Sequence, residues 1–177
     1  MSIMENLDGS IDSERGKIRK EHLNQRIDQT LMLLNYDQIK RLADQIPGRK
    51  WSREEIIADR PMKWEYSLSV TDGQNIIALC LLSKKENTRH SHMIIVDEEY
   101  RGLGIGREMN RKSALEALDS GEDYVTTKVA EGLEASLNFQ LNLGFTVYGE
   151  EYVDEEGVNY LLLRAAPESI LNTFDTK

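Results

Sequence analysis

A chain of 177 residues is long enough for one domain with a full core, and 40% hydrophobic against 30% charged residues describe a globular protein, not a disordered or fibrous one. No apolar run approaches the ~20 residues of a membrane span and the amino terminus lacks the basic and apolar blocks of a signal peptide, so a cytoplasmic location and no membrane partner are expected. A net charge of -9 argues against a nucleic-acid surface and favours a cationic substrate.

Residues 1–24 are polar and charged and read as an amino-terminal arm, frayed or helical. Residues 29–34 read as a first strand or, because Leu and Met favour it, as helix. A helix follows over 36–45, with Asn35 as cap and Pro47-Gly48 as stop, and the capping-box pair Ser52 and Glu55 predicts a short helix over 53–59. Past Pro61 the pattern changes to strands. Residues 64–71 alternate, Asp72-Gly73-Gln74-Asn75 is a turn, and 75–83 return as the second strand of a hairpin. Cys80, the lone cysteine, lies in that apolar return strand, which excludes an intrachain disulfide. It reads as a small buried hydrophobe, with nothing in sequence near it to activate a thiolate.

Asn87-Thr88-Arg89-His90 reads as a turn, placing His90 at a strand edge, and 90–96 as the next strand. Arg101-Gly102-Leu103-Gly104-Ile105-Gly106 comes after it, and 107–118 read as helix. Glycines at these spacings let the backbone turn tightly so that successive N–H groups converge, and the first turn of the following helix adds N–H groups without intrahelical acceptors. With Arg101 and Arg107 at its flanks, the loop is a candidate cradle for a diphosphate. It is not a phosphate loop of the Gly-Lys-Ser/Thr kind, nor does it fit Gly-x-Gly-x-x-Gly. Then come a strand over 124–130, a helix over 133–143 stopped by Gly144, and a closing hairpin of 145–152 and 158–164. The whole reads as mixed α/β, a central mixed sheet with helices on both faces, in a domain spanning 25–168 with a tail over 169–177.

The glycine loop after Val96-Asp97-Glu98-Glu99-Tyr100, together with Leu143-Gly144-Phe145 at the end of the 133–143 helix, resembles the GNAT N-acetyltransferase family over roughly residues 64–165. The resemblance implies acetyl-CoA as co-substrate, with no metal, and a pair of parallel strands that splay. It implies that the pantetheine lies along Ile94, Ile95 and Val96, and that the pyrophosphate rests on Gly102, Leu103, Gly104, Ile105, Gly106 and Arg107, next to Arg101. His90-Ser91-His92 is similar to the His-x-His strand of the serotonin N-acetyltransferase branch, which implies a proton-relay base. Independently, two histidines two apart on a strand share a face, and neutral imidazole suits proton transfer from an amine. His92 and His90 are therefore the candidate catalytic residues. They lack a third partner for a metal.

The resemblance also exposes a departure. Where the family usually carries a tyrosine, five residues ahead of the Phe, as acid toward the leaving thiolate, this chain has Gln140, and Leu133 replaces a frequent Asn. Tyr148, Tyr152 and Tyr160 are the nearby alternatives. The expected activity is acetyl transfer to a primary amine, small-molecule or protein, by direct attack in a ternary complex. A catalytically weak acyl-CoA-binding module and a transferase of larger acyl groups are the alternatives, and a homodimer is the assembly considered.

Overall fold

A computed structural model describes residues 11–13, 16–18, 22–149 and 152–175. The amino-terminal arm lies largely outside them. Within it Ile11–Ser13 (β1) and Gly16–Ile18 (β2) form a short antiparallel pair. An eight-stranded sheet organises the rest, in the order β3 (Gln25–Arg26), β4 (Leu68–Asp72), β5 (Asn75–Lys85), β6 (Thr88–Val96), β7 (Tyr124–Ala130), β10 (Asn159–Ala165) and β8 (Thr146–Val147), with β9 (Tyr152–Val153) also on β10. Among the described strands only β6 and β7 pair in parallel.

Residues 29–34 are helix, not strand. Asp28 caps α1 (Gln29–Leu34) by accepting from the Leu31 N–H at 2.8 Å, a signal that decides between two states that Leu and Met leave open. Helix α2 (Tyr36–Ala43) follows, and α3 (Arg53–Ile57) starts on the expected capping box, with both Ser52–Glu55 bonds present. Residues 63–66 form a short helix, α4 (Lys63–Tyr66), before β4 begins. The buried ammonium of Lys63 donates to the carbonyls of Ile56 and Ala58 at 2.7 and 2.6 Å, satisfying backbone acceptors that the end of α3 leaves open.

Strand β5 is buried from Ile76 to Ser83, as its unbroken apolar run requires of a central strand. Leu79 and Leu81, with Met93 and Ile95 of β6, face Met32, Ile39, Leu42 and Ile56 of α1 to α3. Cys80 and Leu82 face the other way, toward Tyr100, Ile105 and Met109 at the start of α5 (Ile105–Asp119). Farther along, Ala114 and Ala117 of α5 meet Val125, Leu163 and Ile170. That last residue lies on α7 (Pro167–Asp175), a helix where a tail was expected. Gly144 stops α6 (Glu134–Asn142) at φ +85°, and a Cβ there would stand 2.8 Å from the Ser169 carbonyl of α7. Only glycine meets both demands.

The expected turn over 87–90 is strand from Thr88 onward. His90 sits inside the sheet, opposite Ser83 of β5 and Thr126 of β7. Beside it, Arg89 points to the α5 face and is buried. It binds Glu122 at 2.8 Å and Glu116 at 3.0 Å, lies over the Tyr66 ring at 3.7 Å, and Tyr66 hydroxyl also donates to Glu122. This network ties β6, α5, α4 and the entry to β7 together.

Removing one partner from such a buried pair strands the other charge away from water. Arg89→Leu is therefore expected to destabilise the fold by about 3–5 kcal/mol, read by urea denaturation, and more than Lys112→Leu at an exposed position of α5.

Candidate active site

The parallel pairing of β6 with β7 runs from Thr88/Tyr124 to Ser91/Thr127 and stops. At the same place β6 shifts register against β5: Leu82 pairs with Ser91 and Leu81 with Met93, leaving His92 as an extra residue. A bulge of this kind sharpens the local twist and re-aims side chains. Beyond it the edge of β6 toward β7 has no ladder partner, so its peptide groups are available to a ligand. The expected splayed pair is present, and the bulge marks its vertex.

Between the parted strands lies a slot of about 120 Å³, lined by Met93 and Ile94 of β6, Val129 and Ala130 of β7, and Leu133 and Gln140 around α6. Of the three residues expected beside the pantetheine, Ile94 lines this slot; the side chains of Ile94 and Val96 also pack toward Tyr100 and Ile105, and that of Ile95 packs toward α1–α3. Gln140 is 5% exposed, and its Oε1 has no hydrogen-bond partner among the described residues. A buried unpaired acceptor is costly, and one lining a slot is explained by a ligand that completes it.

At the far end of β6 the glycine loop opens α5. Gly102 and Gly104 have φ of +78° and +81°, and Gly104 occupies the N-cap without a side-chain cap bond. The N–H groups of Ile105, Gly106 and Arg107 thus remain open at the positive end of a 15-residue helix. Gly106 serves packing: a Cβ would stand 3.2 Å from Phe139 of α6. The two flanking arginines are held by protein. Arg101 donates to the Val96 carbonyl at 3.0 Å and to Gln45 at 3.3 Å, while Arg107 lies over the Phe174 ring at 4.5 Å and donates to the Thr173 carbonyl. Both arginines brace the loop, and what the loop itself offers a ligand is backbone N–H. These features fit an extended thioester carrier from the cradle to the slot.

On the α1–α3 face a wider cleft of about 930 Å³ opens over β5, β6, β7 and β10. His90 and His92 line it together, with ring centroids 4.7 Å apart and nearly perpendicular planes, so the shared face expected from their spacing is present. His92 Nε2 lies 2.6 Å from Ser83 Oγ, and His90 Nδ1 lies 2.9 Å from Thr126 Oγ1. Burial, and then the surrounding cations, push both imidazoles down, His90 to about 4 and His92 to about 3. Both are neutral at pH 7.

Slot and cleft meet at Arg49, Trp51, His92, Thr127 and Lys128, which line both. Sequence reasoning singled out His92 and His90 in this cleft, but missed Ser83, Thr126, Lys128, Arg49 and Trp51. Period-two alternation puts Thr126 and Lys128 on one face of β7, but only the strand order makes that face the histidine face. Of the alternative tyrosines, Tyr160 lines the slot with its hydroxyl on Asp154 at 3.1 Å, and Tyr148 and Tyr152 line the cleft. Cys80 is fully buried, with its thiol pushed up to about 12, so no thiolate nucleophile stands in the site. Among the described residues there is no group of three His, Cys, Asp or Glu side chains that could hold a metal, and no helix long and apolar enough to cross a membrane.

Comparisons with known proteins agree with this geometry. The peptidyl-lysine N-acetyltransferase YjaB of Escherichia coli K12 is 30% identical over 99 residues, covering 56% of this chain and 61% of the relative, less than two thirds of its length. The fold matches Ard1 from Thermoplasma volcanium with a TM-score of 0.69 at 14% identity, covering 80% of this chain and 95% of that one. It also matches the NatC complex bound to Gag peptide and CoA, with a TM-score of 0.67 at 15% identity, covering 81% and 97%. The sequence profile of the acetyltransferase (GNAT) family matches residues 36–145, more than half of the chain, and with the split sheet and its glycine loop in place the chain belongs to that family.

Proposed function

We propose that the protein is an acetyl-CoA-dependent N-acetyltransferase that moves an acetyl group to a primary amine by direct attack in a ternary complex. The observation that carries the reading is the meeting of the narrow slot with the wide cleft at His92 and Trp51: a carrier in one and an acceptor in the other come together at a single point. The name of the bacterial relative supports a lysine side chain as one such amine.

The carrier supplies an activated acyl carbon, and the chain's residues do the rest. Peptide groups of β6 around Ile94 and the first turn of α5 bind and orient it. The amine lone pair attacks the acyl carbon, the C–S bond breaks, and the thiolate takes one proton as the nitrogen gives one up. His92, backed by Ser83, and His90, backed by Thr126, form the relay for the nitrogen's proton, the role that the serotonin N-acetyltransferase resemblance implies. An imidazole near pKa 3 is a weak base. Taking a proton from a lysine-like ammonium near 10.4 would cost about 10 kcal/mol at equilibrium, so the amine enters unprotonated and sheds its proton only as the N–C bond forms. Gln140 has no acidic proton and orients by hydrogen bonding alone.

A second reading, an acyl-CoA-binding module with weak catalysis, draws support from Gln140 and from the low basicity of the histidines. Thiol release from acetyl-CoA over a panel of amines separates the two: CoA binding without turnover selects the module, and no CoA binding removes both.

Three outcomes are expected. Gly104→Asp places a side chain at φ +81° and a negative charge at the helix start, and should raise the Kd for CoA at least about ten-fold in calorimetry. His92→Ala should lower kcat about 10²-fold while CoA binds as before. In the unaltered protein kcat/KM should climb from pH 6 to 9 with deprotonation of the acceptor, without an inflection near 6.5, because His92 and His90 are already neutral there. An inflection near 6.5 that disappears in His92→Ala would contradict that assignment.

A further inference from the structure

The chain carries a net charge of -9, but its acceptor cleft is cationic. Among the described residues, Arg49, Arg60, Lys84, Lys85, Lys128 and Arg164 line it, against two acidic residues, Glu86 and Asp123. Arg49 is neutralised by Glu55. None of the other five has a carboxylate within ion-pair distance among the described residues, although Arg60, Lys128 and Arg164 are half-buried; Asp154 stands near enough to Lys128 to offset part of its charge, but does not pair with it. The fully buried Arg89, by contrast, is paired with Glu122 and Glu116.

Two of the unpaired cations are fixed by aromatic faces. Lys128 lies over the Tyr160 and Tyr152 rings at 4.5 and 4.8 Å, and Arg164 over Tyr124 and Tyr148 at 4.5 and 5.0 Å. A ring face orients a cation without cancelling its charge, so the field still points into the cleft. The indole N–H of Trp51, 6% exposed, has no hydrogen-bond partner among the described residues and adds a buried donor where cleft and slot meet. The depressed histidines report the same field, since Lys85, Lys128 and Arg60 all disfavour a charged His90. The acetyl-CoA diphosphate does not account for these cations: its cradle is at the Val96 end of β6, while Lys85 and Thr88 mark the opposite end.

We propose that the acceptor is an amine that carries an anionic group, phosphate or carboxylate, on the same molecule, held by Arg60, Lys85, Lys128 and Arg164 while its nitrogen reaches His92. The proposal rests on the N-acetyltransferase reading and gives its site a substrate class. A bare polyamine would be repelled by the cleft. An acceptor with its own anion is drawn in, and by offsetting the cations it makes it easier for the nitrogen's proton to pass to the imidazoles.

The test is thiol release from acetyl-CoA with matched acceptors that share one amine and differ in charge. One arm compares glucosamine 6-phosphate with glucosamine. The other compares a short peptide bearing one lysine among aspartates with the same peptide carrying asparagines or arginines. In at least one arm the anionic member should have a kcat/KM about ten-fold or more above its neutral twin at low ionic strength, and the advantage should shrink as salt is added. The arm that shows it tells a small phosphorylated amine from an acidic peptide. Lys85→Glu, at an exposed strand end, and Arg164→Gln should each raise KM for the anionic acceptor and leave the Kd for CoA unchanged. Equal or better use of the neutral or cationic twins in both arms overturns this inference and leaves the N-acetyltransferase reading standing. Failure to acetylate any amine overturns both.

Discussion

The parallel ladder between β6 and β7 is four residues long, and the site depends on where it stops. A longer ladder would close the slot and satisfy the peptide groups that face it, while a shorter one would let the sheet divide. Its lower end is clamped by Arg89, whose guanidinium joins Glu122 just before β7 to Glu116 on α5. Its upper end is set by the bulge at His92, where one extra residue turns β6 away from its neighbour. Ion pair and bulge sit three residues apart on β6, one facing α5 and the other facing the cleft, so the element that parts the strands also presents the histidine at the opening.

Much of this was legible because the signals are local. A capping box announces α3, glycines with positive φ mark the loop before α5 and the end of α6, and two histidines two apart must share a face of a strand. What was not legible depends on tertiary context. Residues 29–34 could be told from strand only by Asp28 accepting the Leu31 N–H. Polar Thr88 and Arg89 look like a turn until the opposite face is known, where Glu122, Glu116 and Tyr66 make a buried arginine affordable. The first strand of the closing hairpin breaks into the short strands β8 and β9, both paired with β10, and 169–175 fold as part of α7 because α5 and Gly144 offer a packed surface.

Charge shows the same division. Net charge is a sum over the surface, and from it a cationic substrate was the natural expectation. Binding responds to the local field, and Arg60, Lys85, Lys128 and Arg164 come from the loop before α4 and from β5, β7 and β10, each of which looks unremarkable alone. Composition could not place them together; the strand order 5-6-7-10 does.

The chemistry that follows is one of position more than of strong acids and bases. His92 and His90 are held neutral by burial and by the cations around them, and the position that the family resemblance assigns to the thiolate's acid carries an amide in Gln140. Neither end of the proton path has a group poised near neutral pH. Holding a neutral amine against an activated acyl carbon supplies much of a transfer barrier without either, provided the two are fixed in a reactive geometry. In the proposed transfer the slot would fix one partner through peptide groups and the cleft would fix the other through charge. Selecting the acceptor and activating it would then be one act, because an anion bound beside Lys128, as proposed, would also relieve the field that adds to burial in keeping His92 a weak base.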